Sequence, residues 1–243
     1  MKTNCIECNS EFDYIPAQNA LGVNLSDLKP TLCTSECESI YRAKTQAEVS
    51  KNVFYRILNI MPDAYKGVKM DDFNNTPICQ GGKEYKFQDL VQRYCNSQYW
   101  NISLFSPQYG NGKTRMGLYM LACLALKGIY KTREIHNIQD AGYYSAIDIV
   151  KILKTETFDA KQYQLKRFYS SRALMIDDLG QEPKQFSTEI AGILKVREET
   201  YRKTIITSNC TKEELMERYT GRIYSRIAKG AFLVKGSDYR MAN

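Results

Sequence analysis

Apolar residues recur along this chain with two periods, one near 3.6 and one a continuous short run, and their alternation lays out the elements. A helical pattern opens at Glu36 and runs to about Leu58, carrying Ile40, Val49, Phe54 and Ile57 on one face. Pro62 stops it, and Met61 to Asn75 reads as an extended linker. Beyond this come a helix over Glu84 to Asn96, a strand over Ile102 to Ser106 and a helix over Arg115 to Lys127. A strand over Ala141 to Ala146 is followed by a helix over Ile147 to Thr155 and a second one over Gln162 to Tyr169. Leu174 to Asp177 is another strand. Phe186, Ile190, Ile193, Leu194 and Tyr201 mark one face of a long helix, and Thr204 to Ser208 forms a strand ending at Asn209. Strands alternating with helices predict an α/β fold with a parallel sheet flanked by helices.

The joint between the first core strand and its helix carries chemistry. Gly110, Asn111, Gly112, Lys113 and Thr114 form a glycine-rich turn at the start of a helix. Such a turn aims backbone N–H groups at phosphates, with a lysine for the outer phosphates and a hydroxyl for magnesium. In the usual spacing a further glycine lies five residues before Gly112, where this chain has Pro107, with a fixed φ and no N–H. The donors from Gly110 to Thr114 are independent of that position, so nucleotide binding is expected to survive. A second segment, Ala173 to Gly180, ends a buried strand in Asp177 and Asp178, two carboxylates able to hold magnesium and polarise a water. The plain alternative is a solvated lysine and an acidic surface turn. The proposed ligand groups all fall at strand C-termini, where open α/β sheets bind ligands.

Charge and composition narrow the partners. The chain has 34 basic and 27 acidic residues among 243, a net charge of +7 that favours a polyanionic partner. No apolar run approaches the roughly 18 residues of a membrane span, and the N-terminus lacks the apolar stretch of a signal peptide, so a cytoplasmic protein without membrane association is expected. Eight cysteines in such a protein read as metal ligands or buried thiols rather than disulfides. Cys5, Cys8, Cys33 and Cys37 fall in two close pairs, the spacing of a four-thiolate zinc site. Cys79, Cys95, Cys123 and Cys210 are scattered and suit packing. Around the paired cysteines, Tyr14, Ile15, Leu21, Val23 and Leu25 are too few to fold a module unaided, so zinc, at about 10 to 16 kcal/mol in small modules, would supply the difference. The divisions expected are a zinc-binding module over residues 1–45, a connector helix and linker over 46–75, and a nucleotide-binding domain over 76–243.

Taken in order, the GNGKT loop, MIDDLG, IITSN and the tail GRIYSRIAKGAFLVKGSDYR resemble the AAA+ ATPases of the bacterial helicase-loader group, of DnaC and DnaI type, and their relative, the IstB transposition helper. The resemblance covers residues 60 to 243, and the four-cysteine module looks like the zinc head with which some loaders grip the replicative helicase. It implies an AAA+ P-loop core without a C-terminal lid domain, ATP and magnesium as ligands, and hydrolysis to ADP and phosphate. By the same resemblance Lys113 and Thr114 are the Walker A lysine and magnesium hydroxyl, and Asp177 the Walker B magnesium ligand. Asp178 stands at the catalytic acid, and Asn209 resembles sensor 1. Arg226 resembles the finger that a neighbouring subunit of a homo-oligomer inserts, and Arg240 a sensor 2 arginine. A surface salt bridge is the bland alternative for each arginine.

One further stretch bears on partners. Tyr143, Tyr144, Lys151, Lys154, Phe158, Lys161, Tyr163, Lys166 and Arg167 interleave cations with aromatic rings, a composition suited to single-stranded DNA. A solvated helix with a packed back face would look the same. The leading expectation is an ATP-dependent helicase loader acting on single-stranded DNA. Two alternatives keep the nucleotide site: an IstB-like transposition helper, and a nucleotide-switch adaptor with little hydrolysis.

Overall fold

The computed structural model describes residues 2–13, 32–45, 48, 68–131, 141–155 and 157–236. The chain divides into two compact units, Met1–Asn52 and Val53–Asn243.

In the first unit, β1 (Lys2–Asn4) and β2 (Glu11–Asp13) form an antiparallel pair with Asn4 opposite Glu11. The turn between them is closed by two backbone bonds, from Cys5 N–H to the Ser10 carbonyl and from Asn9 N–H to the Cys5 carbonyl, both 2.9 Å. Residues 35–45 form helix α1, whose Cys37 N–H is capped by the Thr34 hydroxyl at 3.2 Å. Val49, Phe54 and Ile57 of the expected connector helix lie outside the described residues, as do Tyr14, Ile15, Leu21, Val23 and Leu25.

The second unit is built on a seven-stranded sheet. Its strands are β3 (Ile78–Gln80), β4 (Lys83–Tyr85), β5 (Asn101–Phe105), β6 (Ala141–Ser145), β7 (Ala173–Asp177), β8 (Lys203–Ser208) and β9 (Ala231–Val234). Their spatial order is β4-β3-β9-β5-β8-β7-β6. The five from β9 to β6 run parallel, and β3 and β4 add an antiparallel margin, so the sheet is mixed where a parallel one was expected. Every residue of β7 is buried, as are the first four of β5 and the last five of β8, which is why these strands read as unbroken apolar runs. The outermost strand β4 carries Lys83 and Glu84 exposed, charges that discourage pairing with another chain.

Two helical layers cover the sheet. On one face lie α2 (Phe87–Asn96) and α3 (Lys113–Lys131). Phe87, Leu90, Val91 and Tyr94 of α2 are buried at the spacing of a single helical stripe. The helix expected from Glu84 therefore begins three residues later, because Lys83 to Tyr85 pair with β3. Gly117 lets α3 press on β7: a Cβ there would sit 2.5 Å from the Met175 Cε. Part of the expected linker belongs to this layer too. Met70–Phe73 is a turn of 3-10 helix, and buried Phe73 meets the Phe87 ring edge-on with centroids 4.6 Å apart.

On the other face lie α4 (Ala146–Thr155), α5 (Phe158–Ser170), α6 (Ser187–Glu199), α7 (Lys212–Arg218) and α8 (Gly221–Ala228), whose apolar sides form a second core with Leu174, Ile176 and Ile206. Arg197 lies on the buried stripe of α6 beside Ile190, Ile193 and Leu194. Its guanidinium donates to the carbonyls of Phe168 at 2.7 Å, Ser171 at 2.9 Å and Lys203 at 2.6 Å, and to the Thr204 hydroxyl at 2.8 Å. It thus joins the end of α5 to the start of β8, and burial pulls its pKa down to about 9.

Candidate functional site

The C-terminal ends of β5, β7 and β8 deliver the candidate nucleotide residues to one rim of the sheet. β5 leads through Ser106, whose N–H donates to the Ser208 carbonyl at 3.1 Å, into the loop and then α3. Gly110 and Gly112 hold φ of +74° and +87°, the left-handed region that a glycine enters at no steric cost. Lys113 is almost fully buried, and its ammonium donates to the Gln108 carbonyl and to Asn111 Oδ1, both at 2.9 Å. The buried Asn111 amide also donates to the Val234 carbonyl at 3.0 Å. Asn111 thus ties the loop to β9 and holds Lys113, a role its place in a phosphate-binding string did not suggest. Pro107 lines a neighbouring cavity of about 290 Å³ with Phe105, Cys210, Tyr224 and Leu233.

Thr114 opens α3, and its hydroxyl donates to Asp177 Oδ1 at 3.0 Å. The glycine-rich loop and the acidic end of β7 therefore meet directly. Asp177 is buried and is held by two more hydroxyls that the sequence reading did not assign to it. Thr207 of β8 donates to Oδ1, and Tyr143 of β6 donates to Oδ2 at 3.1 Å. Burial raises the Asp177 pKa above its usual range and the nearby Asp178 adds to the rise, against the three hydroxyls, which oppose it. Next to it, Asp178 has φ of +53°, its N–H donates to the Thr207 hydroxyl at 3.0 Å, and its carboxylate accepts from Asn209 Nδ2 at 2.9 Å. The other amide atom of Asn209, Oδ1, is buried without a hydrogen-bond partner.

This donor set fits magnesium. A hydroxyl and a carboxylate 3.0 Å apart offer hard oxygen ligands at the mouth of a loop with an ammonium beside it, and magnesium takes few protein ligands while keeping waters and phosphate oxygens. The unpaired Asn209 acceptor fits a water held against Asp178.

The other predicted residues fall elsewhere. Arg226 on α8 is ion-paired with Glu198 at the end of α6, Nε to Oε2 2.7 Å, with both side chains largely buried. Arg240 lies outside the described residues. The basic, aromatic stretch splits. Tyr143 turns toward Asp177, and Tyr144 packs edge-on against Phe168 with centroids 5.0 Å apart, so both strand tyrosines are half-buried in contacts within the core. On α4 and α5 Lys161 is half-buried and the rest faces outward: Lys151, Lys154, Lys166 and Arg167 are exposed, Phe158 is 75% and Tyr163 57% exposed, and the Arg167 guanidinium lies 6.0 Å from the Tyr163 ring centroid.

In the first unit the Sγ atoms of Cys5, Cys8, Cys33 and Cys37 lie within 4.8 Å of one another, with Cys8 to Cys33 3.4 Å and Cys33 to Cys37 3.6 Å. Four thiolates at about 2.3 Å from a central zinc stand about 3.8 Å apart, so the cluster fits the metal. The crowding shows in the thiols themselves. Burial opposes ionisation of Cys5, yet hydrogen bonds from the backbone of Cys8, Cys33 and Glu7 bring it down to about 6. Cys33 is pushed up to about 12, first by its contact with Cys8 and then by burial.

No family model and no curated protein matches the chain. Solved structures do. A DnaC helicase loader matches with a TM-score of 0.53 and 19% identity, over 72% of this chain and 100% of that one. DnaI matches with a TM-score of 0.51 and 19% identity, over 73% and 93%. The replication initiator DnaA, bound to AMPPCP and single-stranded DNA, matches with a TM-score of 0.53 and 16% identity, over 72% of this chain and 51% of that one. No helix among the described residues is long and apolar enough to cross a membrane. The chain thus shares its core fold with DnaC, DnaI and DnaA.

Proposed function

We propose that the chain is an ATPase that loads a replicative DNA helicase onto single-stranded DNA. The observation that carries the nucleotide half is the 3.0 Å bond from Thr114 to Asp177, which joins the two phosphate-handling segments at one rim of an AAA+ sheet. Lys113 would leave the Gln108 carbonyl and Asn111 to neutralise the outer phosphates, which the backbone N–H groups of Gly110 to Thr114 would cradle. Thr114 and Asp177 would hold magnesium, which supplies charge neutralisation between the outer phosphates. Asp178 would accept the proton of a water that Asn209 orients with its unpaired Oδ1. Arg226 would act on the nucleotide of a neighbouring copy, leaving Glu198 to do so, and Arg240 would contact nucleotide in its own chain.

Partner choice rests on separate features. The exposed rings and cations of α5 suit stacking on bases and tracking of phosphates, and the cysteine-held head of residues 1–58 would be the grip on the helicase. A second reading, a nucleotide switch with little hydrolysis, is favoured by the docking of Lys113 on its own loop and by the short Asp178 carboxylate. Affinity purification from the native host combined with ATP turnover tests both. Co-purification of a replicative helicase together with DNA-stimulated turnover supports the loader. Recovery of a transposase instead overturns it, and tight ATP binding without turnover leaves the switch.

A further inference from the structure

The Asp177 carboxylate is buried, and its two oxygens are held differently. Oδ1 accepts from Thr114 and Thr207, whereas Oδ2 accepts from Tyr143 at 3.1 Å. Thr114 is also the hydroxyl that would turn to magnesium, so the donors free to stay on the carboxylate are Thr207 and Tyr143. They grip opposite oxygens, from strands on opposite sides of β7. A carboxylate held at one oxygen can still turn about its Cβ–Cγ bond, and one held at both cannot.

Strand register explains how a residue distant in sequence arrives there. Tyr143 pairs with Met175, and Ser145 pairs with Asp177. Residues two apart on a strand share a face, so Tyr143, Met175 and Asp177 point to the same side, the side on which α3 packs. A tyrosine two positions short of the carboxylate has the length to bring its phenol to Oδ2. A serine or threonine at that position would not reach.

We infer that Tyr143 is a positioning residue for the metal: its phenol fixes the plane of the Asp177 carboxylate so that Oδ1 stays presented beside Thr114. The inference rests on the nucleotide reading above. It assigns Tyr143 no contact with the phosphates and no proton transfer, so its removal leaves metal-free nucleotide binding alone. The loss is confined to the part of the affinity that magnesium adds, since a freely turning carboxylate must be ordered each time the metal binds.

The test is a fluorescence titration of the full chain with a ribose-labelled fluorescent ATP, in EDTA and across a magnesium series. It compares the natural protein with Tyr143→Phe, which deletes one oxygen and keeps the ring, and with Tyr144→Phe as a control on the same strand. Tyr143→Phe should match the natural protein in EDTA and need about five- to tenfold more magnesium for half of the tightening, the scale of one ordinary hydrogen bond lost. Tyr144→Phe should follow the natural curve. Superimposable magnesium curves for Tyr143→Phe and the natural protein overturn the inference, and so does an equal shift in both variants, which would point to the strand rather than the phenol. If the natural protein binds nucleotide without any magnesium effect, the nucleotide reading falls with it, an outcome distinct from a failure of Tyr143 alone.

Discussion

The Arg226 guanidinium lies 2.7 Å from the Glu198 carboxylate, closing α8 onto α6 within one chain. An arginine that acts on a neighbour must give up this pair, so assembly and hydrolysis compete with an internal bond. Arg226→Ala should leave nucleotide affinity near normal and lower DNA-stimulated turnover by about 10³-fold or more. Glu198→Gln should destabilise the fold by about 1 to 3 kcal/mol, the range between exposed and buried pairs. Mixing Arg226→Ala with Lys113→Ala should restore part of the activity at shared interfaces. A mixture with none places Arg226 in a structural role.

Under the proposed function, Lys113 and Asp178 should separate binding from chemistry. Lys113→Ala should abolish tight ATP binding, because the ammonium neutralises charge already present in the ground state. Asp178→Asn should bind ATP normally and turn it over at least about 10²-fold more slowly, the usual contribution of a positioned general base. Calorimetric titration with a non-hydrolysable analogue, paired with phosphate release, distinguishes the two, and unchanged affinity in Lys113→Ala would sink the phosphate-loop assignment.

Asp177 gives the protein a pH signature. Its carboxyl is held above the ordinary value of 3.8, chiefly by burial. A folded value above the unfolded one means that the neutral acid is favoured in the fold. Metal-free stability from this group is therefore gained as pH falls through the raised value and lost as pH rises through it. Asp177→Asn should accordingly melt a few degrees higher than the natural protein at pH 7 in EDTA, with the gap closing as pH is lowered toward 3.8. Scanning calorimetry across pH checks the sign, and a variant less stable at pH 7 would show that the hydroxyl bonds outweigh the burial cost.

The head should hold one zinc through Cys5, Cys8, Cys33 and Cys37. Replacing any one of them with serine should release the metal and unfold residues 1–45 while nucleotide binding persists. Elemental analysis and a zinc-release assay read the stoichiometry. A folded head without metal would make the four thiols packing residues.

How much of this was legible varies with the physics involved. β5, β7 and β8 are buried on both faces, so their apolar runs announce them, and Lys113, Thr114, Asp177 and Asn209 follow at their ends. The hairpin of β3 and β4 went unread although Gly81 and Gly82 mark its turn with φ of +57° and +78°, because its strands are three residues long and partly exposed. β9 is four residues, hidden within a segment that stood out for its arginines. Tyr143, Thr207 and the Arg226 partner Glu198 were not assigned because each depends on which residues lie side by side, and register is not written in composition. Tyr143 and Tyr144 looked alike in sequence, and the pleat sends one to the carboxylate and the other to Phe168.

β6 is the last strand of the sheet, paired on one side with β7 alone among the described residues, and it carries Tyr143. Marginal strands open at lower cost than central ones. The hold on Asp177 Oδ2 therefore frays whenever that margin does, and by reciprocity a ligand that orders Asp177 must quieten the margin. Amide exchange at Gly142 and Tyr144 should slow when magnesium and nucleotide bind, although neither residue touches them. Any partner that clamps α4, which continues directly from β6, would tighten the metal site by the same thermodynamic route.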